Sequence, residues 1–128
     1  MAFTSTHRFA RIAPRKARLV ADLIRGKGIA DALTALQFSP KRAAVMFSKA
    51  IRAAVANAEE GDADVATLIV SESRVDEGPT IKRFQQKDRG RSHPIMKRTS
   101  HIVVAVDAGS ARKTKTKART KRPAKASA

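Results

Sequence analysis

The sequence predicts an α+β fold in which about three helices pack on one face of a small antiparallel sheet and a long β-hairpin projects from it. Two segments rich in Val and Ile, VATLIVSESRVDEGP and SHIVVAVDA, have the composition of strands. Apolar residues recur at helical spacing between residues 14 and 60. The two β segments flank a stretch that is too polar to join a core, so the simplest connection between them is one long antiparallel hairpin.

The chain begins with a predicted strand and helix. Residues 3–9 alternate with a period of two, as in a short, half-exposed strand. Pro14 suits the first turn of a helix, and Gly26 and Gly28 can end it. The predicted core side of this helix consists of Leu19, Val20, Leu23 and Ile24. Its other side consists of Arg15, Arg18, Asp22 and Arg25.

Two more helices are predicted before the first long strand. The second spans residues 29–38, with an apolar stripe of Ile29, Leu33 and Leu36. The third takes Ser39 as its N-cap and Pro40 as its first residue, and it runs to about Glu60, with Gly61 as a left-handed cap. Its apolar stripe is Ala44, Phe47, Ile51, Ala54, Val55 and Ala58. So many alanines favour close packing on a flat surface such as a sheet.

The domain organisation is predicted to be simple. Residues 1–109 form one domain, with the hairpin at about 76–101. Residues 110–128 carry eight Lys/Arg, no acid and almost nothing to bury, so this basic tail is expected to be disordered when free.

The charge of the chain predicts an anionic partner. There are 27 Lys+Arg against 11 Asp+Glu, a formal net charge of +16. Nucleic acid fits this excess better than an acidic membrane surface. No apolar run approaches the ~18 residues of a membrane-spanning helix, and no membrane association is expected. The absence of cysteine excludes disulfides and thiolate zinc sites.

The stretch TIKRFQQKDRGRSHPIMKRTSHI, residues 80–102, is the predicted nucleic-acid interface. If its arms fold symmetrically about Gly90, Lys82 faces Arg98 and Arg83 faces Lys97. Like charges placed opposite one another destabilise a ribbon, and an isolated two-stranded hairpin is only marginally stable. The missing stability is therefore expected to come from a partner. About ten residues per arm would project roughly 30 Å, and three apolar residues, Phe84, Ile95 and Met96, could pack on bases or on each other.

Several motifs identify a family resemblance. RLVADLIRGK, AVANAEE, VDEGP and then GR followed by KRTSHI occur at characteristic spacings between His7 and Asp107. Together they resemble the universal large-subunit ribosomal protein twenty-two family. The resemblance implies a globular head near the exit of the peptide tunnel and a hairpin threaded inward among ribosomal RNA segments. It also implies a role in subunit assembly, and a hairpin tip at the tunnel wall, where nascent chains pass and macrolides bind nearby.

The resemblance and the charge pattern together assign the candidate site residues. Arg15 and Arg18 lie at the positive end of a helix dipole, where a cation gains nothing unless it binds phosphate. The predicted RNA-binding residues are Arg8, Arg11, Arg15, Lys16, Arg18, Arg25, Lys82, Arg83, Lys87, Arg89, Arg91, Lys97, Arg98 and His101. The predicted tunnel-facing tip is Gln86, Lys87, Asp88, Arg89, Gly90, Arg91 and Ser92. The basic residues of the third helix, Lys41, Arg42, Lys49 and Arg52, fit either a solvated face or RNA contact.

The tip departs from the family pattern. Relatives commonly have proline and alanines where this chain has Gln86, Asp88 and Ser92. Asp88 is expected to face the tunnel lumen or to pair with a neighbouring cation, because an unpaired acid among phosphates is costly. In relatives, changes in the arm that corresponds to residues 81–83 alter macrolide sensitivity.

The expected partners are large-subunit ribosomal RNA, neighbouring large-subunit ribosomal proteins and the nascent polypeptide. Neither a cofactor, nor a metal ion, nor homo-oligomerisation is expected. The location is expected to be the cytoplasm, in the ribosome. The N-terminus is basic, as in organelle transit peptides, but it reads as a strand and a capped helix.

The sequence fits two other classes of function less well. An enzyme is disfavoured because the three histidines, His7, His93 and His101, are far apart, and because adjacent strand carboxylates such as Asp76 and Glu77 point to opposite faces. The pattern Glu77-Gly-Pro instead predicts a turn or a bulge in the strand where the hairpin leaves the sheet. A DNA-bending protein with a basic β-arm is the alternative. Such proteins insert an apolar wedge at the arm tip, whereas charged residues surround Gly90 here.

The composition also predicts how RNA would be recognised. The chain has neither Trp nor Tyr, which argues against a single-strand stacking platform. Recognition by shape, phosphate and 2′-hydroxyl contacts, as for folded RNA, is expected instead. Direct comparison of duplex DNA with structured RNA would discriminate the two nucleic-acid hypotheses.

Overall fold

The computed structural model describes residues 1–109, and the predicted basic tail lies outside the described residues. The helices are α1 (Pro14–Ile24), α2 (Ile29–Gln37) and α3 (Arg42–Glu60). The strands are β1 (Ala2–Ala10), β2 (Leu68–Gln86) and β3 (Ser92–Ala108). This order confirms the predicted α+β fold. Within this described part of the chain, no helix combines the length and apolar character needed to cross a membrane.

β3 is the central strand of a three-stranded antiparallel sheet with the order β1-β3-β2. Its residues Ile102, Val104 and Val106 are fully buried in the core beneath the helices. The open face is polar in places, since Arg74 pairs there with Glu72 at 3.3 Å and with Asp76 at 3.5 Å. The sheet therefore has one apolar face for the helices and one face that tolerates water.

α3 packs closely on this sheet because most of its inward side chains are small. Phe47 and Ile51 are completely buried and supply the bulk of its core contribution. The remaining buried positions of the helix are all alanines: Ala43, Ala44, Ala50, Ala54 and Ala58. The predicted stripe is confirmed, with Val55 only partly buried at its margin.

α3 ends at Glu60 with Gly61 as its C-cap, as predicted, but the predicted N-cap and the predicted left-handed conformation of Gly61 are wrong. The N-cap is Lys41 rather than Ser39, because residues 39–41 form an extended turn in which the Ser39 hydroxyl accepts a hydrogen bond from the Lys41 N–H at 3.5 Å. Gly61 has a φ of −90° and is not left-handed; Asp62, with a φ of 56°, takes that conformation. A Cβ on Gly61 would lie 2.5 Å from the Phe3 ring, so close packing against Phe3, not a positive φ, favours the glycine.

α1 has the predicted bounds, but it is rotated relative to the predicted core face. Val20 and Ile24 are buried together with Ala17 and Ala21, whereas two predicted core leucines face solvent. Leu19 is 58% exposed and Leu23 is 41% exposed. Alanines replace them in the core because the opposite flank of α1 is drawn toward β2 by hydrogen bonds.

The free edge of β2 is covered by α1 and the loop after it. The Gly26 N–H donates to the Val70 carbonyl at 2.9 Å, and the Val70 N–H donates to the Lys27 carbonyl at 2.9 Å. Further along, the Arg25 Nε donates to the Ser73 carbonyl at 3.2 Å and the Arg18 Nη2 to the Val75 carbonyl at 3.4 Å. These contacts satisfy edge carbonyls that would otherwise be open to pairing with another chain.

The hairpin leaves the sheet at a bulge, as predicted from Glu-Gly-Pro. The β2–β3 register shifts between Glu77 and Thr80. At the same place the Thr99 hydroxyl donates to the Pro79 carbonyl at 2.6 Å. A Cβ on Gly78 would lie 2.6 Å from the Thr99 Oγ1 and 3.2 Å from its backbone. Glycine is therefore required at this crossing.

Replacing Gly78 with alanine is expected to lower the free energy of unfolding by about 1–3 kcal/mol, because the new methyl group overpacks against the Thr99 hydroxyl, which is held by the Pro79 carbonyl, and against the Thr99 backbone. Urea denaturation of the RNA-free protein measures this. Thr80→Ala, an exposed position two residues along, is the control and should be near neutral. Equal urea midpoints for the two variants would contradict a close contact between Gly78 and Thr99.

Candidate nucleic-acid interface

The hairpin is a two-stranded ribbon that continues the sheet beyond β1. The last pair between β1 and β3 is Ala10↔Ser100, whereas the pairs between β2 and β3 continue to Gln86↔Ser92. Residues 92–98 of β3 are all exposed. The β2 arm from Gly78 to Gln86 has nine residues, which at about 3.3 Å each gives a projection of roughly 30 Å. The ribbon therefore extends from the head without a core of its own.

The predicted register, symmetric about Gly90, is wrong by two residues. Lys82 pairs with Met96 and Arg83 with Ile95. In the other arm, Arg98 pairs with Thr80 and Lys97 with Ile81. Each cation therefore lies opposite a neutral residue, and cations of the two arms are only diagonal neighbours, about 7–8 Å apart. The shift lowers the repulsion that the symmetric register would impose.

Both faces of the ribbon are cationic. Directly opposed residues of two strands lie on the same face, and successive residues alternate between faces. One face therefore carries Lys82 and Arg98, and the other carries Arg83 and Lys97. Residues 78–98 contain seven Lys/Arg and one acid in all. Neither face of the ribbon is therefore suited to pack against a protein core or against the head.

Each face also carries exposed apolar groups between its cations. Phe84, which pairs with Pro94, is 80% exposed, and Met96 lies on the same face. Ile95 lies on the opposite face and is 37% exposed. These side chains do not reach the core cluster. They are therefore available to pack against a partner.

The tip is a tight turn with two consecutive left-handed residues. Arg89 has a φ of 60° and Gly90 a φ of 71°, as both central residues of a type I′ turn require. The Lys87 N–H donates to the Arg91 carbonyl at 2.8 Å, and the Arg91 N–H donates to the Asp88 carbonyl at 3.4 Å. Positive φ is unfavourable for arginine, so the turn holds Arg89 in a strained conformation that projects it from the apex.

The structure does not pair Asp88 with its basic neighbours. Among the described residues, the ion pairs involve other carboxylates: Asp22, Glu72, Asp76, Glu77 and Asp107. The pairing expected between Asp88 and a tip cation is therefore absent from the RNA-free chain. Its orientation toward a tunnel lumen stays a prediction.

The predicted head cations fall into two groups. Arg8, Arg11, Arg15 and Lys16 are exposed near the start of α1, and no acid pairs with them in residues 1–109. Arg18 and Arg25 differ, because their guanidinium groups donate to β2 carbonyls. Arg25 also pairs with Asp22 at 2.8 Å. RNA contact by these two arginines stays a prediction, in competition with their internal bonds.

Phe9 and His101 form a junction between the head and the ribbon that the sequence did not predict. β1 bulges between His7 and Ala10, and Phe9 there has a φ of 55°. The Phe9 N–H donates to the His101 Nδ1 at 3.0 Å, and the two rings meet edge-on at 4.9 Å. The Arg8 guanidinium lies 5.1 Å from the centroid of the Phe9 ring. A simple alternating strand pattern carries no signal for this bulge.

His101 therefore has a structural role in addition to its predicted RNA contact. An accepting Nδ1 leaves the proton of the neutral imidazole on Nε2, where it can donate to a second partner. The Nδ1 atom of His101 thus stabilises the positive φ of Phe9, and its Nε2–H is available to donate a hydrogen bond to another partner.

Replacing His101 with alanine is expected to lower the free energy of unfolding by about 1 kcal/mol before any RNA is present, because Phe9 loses its hydrogen bond and its ring contact. His93→Ala is the matched control, since His93 is exposed on the ribbon. Urea denaturation of both variants measures the difference. Equal stability of the two would restrict His101 to an RNA-contact role.

Comparison with known proteins agrees with this geometry. Residues 5–107 match the family described as "Ribosomal protein L22p/L17e". A relative from Lactobacillus delbrueckii subsp. bulgaricus, large ribosomal subunit protein uL22, is 58% identical over 100 residues, which cover 77% of this chain and 86% of the relative. Proteins of the same name from Lactobacillus helveticus and Lactobacillus gasseri are each 55% identical over 100 residues, with the same coverage. This chain belongs to the ribosomal protein L22p/L17e family.

Proposed function

We propose that this protein is a structural constituent of the large ribosomal subunit that binds large-subunit ribosomal RNA and lines the peptide exit tunnel with its hairpin. The observation that carries the proposal is a ribbon that is cationic on both faces and has no core to bury it. Its stability in the particle comes from RNA, which neutralises charge that the free chain cannot.

The relatives support the ribosomal role directly. They are named large ribosomal subunit proteins, and the family match spans the whole hairpin. The protein accordingly works in the ribosome, in the bacterial cytoplasm, and it is not an enzyme. Its partners there are ribosomal RNA and neighbouring ribosomal proteins, and it contributes to assembly of the subunit.

Two cationic faces favour a ribbon enclosed by RNA over a ribbon lying on its surface. A surface contact needs positive charge on one face only, and the other face would then be free to carry acids. Here Lys82 and Arg98 serve one face, and Arg83 and Lys97 serve the other. The projection of roughly 30 Å is long enough for such a ribbon to pass between RNA segments on both sides.

The distribution of acids supports an orientation with the hairpin inward and the head outward. Four of the 11 acidic residues lie at the end of α3 and in the loop after it: Glu59, Glu60, Asp62 and Asp64. This loop precedes the first residues of β2, at the end of the sheet remote from the hairpin. Phosphates would be repelled there, so this end of the head faces away from the RNA.

The tip residues, Gln86–Ser92, are proposed to face the tunnel and the nascent polypeptide. The turn places Arg89 and Gly90 at the apex, and Asp88 is not engaged by a neighbouring cation. A carboxylate at this position is tolerated in an aqueous lumen, whereas it would oppose phosphates. In the same proposal, residues 1–109 act as one domain and residues 110–128 act as a basic tail.

A DNA-bending role is disfavoured by the tip itself. Benders unstack base pairs with an apolar wedge, whereas the apex here consists of Arg89 and Gly90 between charged neighbours. The nearest large apolar residues, Phe84 and Pro94, pair with each other within the two-stranded ribbon and not at its apex.

Ultraviolet crosslinking of the tagged protein in growing cells, followed by sequencing of all crosslinked nucleic acid, tests the proposal. Crosslinks from Lys82–Arg98 are expected to concentrate on tunnel-wall segments of large-subunit ribosomal RNA. Crosslinks dispersed over chromosomal DNA would establish the β-arm alternative instead.

A pair of matched variants tests enclosure. Lys82→Gln with Arg98→Gln discharges one face, and Arg83→Gln with Lys97→Gln discharges the other. If RNA encloses the ribbon, each variant should reduce the slope of log affinity against log salt by about 1.4–1.8, from two lost phosphate contacts. Filter binding to large-subunit ribosomal RNA over a salt series measures this. A loss confined to one face would mean surface binding.

A further inference from the structure

We infer that the cavity between α2 and α3 binds a single extruded nucleotide of the ribosomal RNA, with the base in the cavity and its phosphate at the rim. The cavity has a volume of about 400 Å³, within the range of small-ligand sites. Its apolar part consists of Leu33, Leu36, Ala44 and Val45. This inference rests on the proposed function only in that the nucleotide belongs to the RNA bound by the hairpin.

The rim selects an anionic occupant. Lys49 and Arg52 line the cavity, and none of its lining residues is acidic. The two cations are three residues apart on α3, hence on one side of the helix. No carboxylate in residues 1–109 forms an ion pair with either of them. Positive charge beside an apolar depression is complementary to a phosphate joined to a planar base.

The neutral polar groups suit the edge of a base. Thr34, Gln37, Ser39 and Ser48 complete the lining between the apolar residues and the cations. Side-chain amide and hydroxyl groups both donate and accept hydrogen bonds, so they can read the edges of an unstacked base. Thr34 already donates to the Ala30 carbonyl at 2.9 Å, and Ser39 already accepts from the Lys41 N–H at 3.5 Å. Gln37 and Ser48 are therefore the polar groups best placed to hydrogen-bond a base.

An exposed aromatic residue flanks the cavity. Phe38 is 80% exposed, and its sequence neighbours Gln37 and Ser39 both line the cavity. Val45, at the cavity itself, is 61% exposed. In a chain without Trp or Tyr, an aromatic ring left in water beside a cationic rim is a site for stacking on a base.

The site is separate from the hairpin. Its residues come from α2, α3 and the turn between them, whereas the hairpin consists of residues 78–98. Contacts at the two places would therefore fix the head and the ribbon to the RNA independently. Two cations of α3, Lys49 and Arg52, thus lie at the cavity, whereas Arg42 and the N-cap residue Lys41 lie outside it.

Chemical probing of ribosomal RNA in large subunits assembled with full-length variants tests the inference. Ser48→Phe fills the cavity, and Lys49→Gln with Arg52→Gln removes its cations. In both, one base, or two adjacent bases, protected by the unchanged protein should become about tenfold more reactive, as expected for loss of one stacked base. Lys41→Gln with Arg42→Gln removes equal charge from the N-terminus of the same helix and should leave that base protected.

A photoreactive phenylalanine analogue at position 38 identifies the occupant. Crosslinking to the same base in assembled subunits is expected, and crosslinking to a ribosomal protein would overturn the inference. Unchanged reactivity in the charge variant would also overturn it, whether or not Ser48→Phe folds. The hairpin footprint separates the two proposals. If RNA is protected along the ribbon but no base loses protection in the cavity variants, the nucleotide site alone is refuted. If the chain protects RNA at neither place, RNA binding by the chain is refuted.

Discussion

The continuous ladder between β2 and β3 is the constraint on which the rest of the structure depends. One end of β3 is buried at Ile102, Val104 and Val106 beneath the helices, and the other end is wholly exposed. A two-stranded ribbon without a core is marginal in water, so the buried end must fix the register of the exposed end. The close, alanine-rich packing of α3 on the sheet therefore stabilises the ribbon, although α3 does not contact the ribbon's exposed end.

The cations of the head and those of the ribbon have different surroundings in the RNA-free chain. Arg18 and Arg25 bind β2 carbonyls and close a sheet edge, which stabilises the head without RNA. The ribbon cations lie opposite neutral residues, which limits their mutual repulsion but does not neutralise them. The excess charge that remains is the part that phosphates can neutralise, and it lies mainly where the chain has no core.

Two local strains occur where the ribbon begins and where it ends. Phe9 adopts a positive φ at the junction, held by His101, and Arg89 adopts one at the apex. A side chain on Gly78 would collide with the Thr99 hydroxyl and press on the Thr99 backbone. Bends in a ribbon require such residues, because a regular ladder is straight apart from its twist. The direction of the hairpin is thus set by a few local backbone conformations and close contacts.

The sequence alone determined the fold class, the three helices, the hairpin and its cationic character, because periodicity and composition are local properties of the chain. Local pattern also located the bulge at Gly78. It could not determine the register, since a shift of two residues preserves which side chains share a face. Nor could it show that Leu19 and Leu23 are exposed while Arg18 and Arg25 point to β2, because the rotation of a helix depends on its neighbours. The cavity between α2 and α3 is lined by residues of both helices, so it forms only when the helices pack and could not be predicted from the sequence.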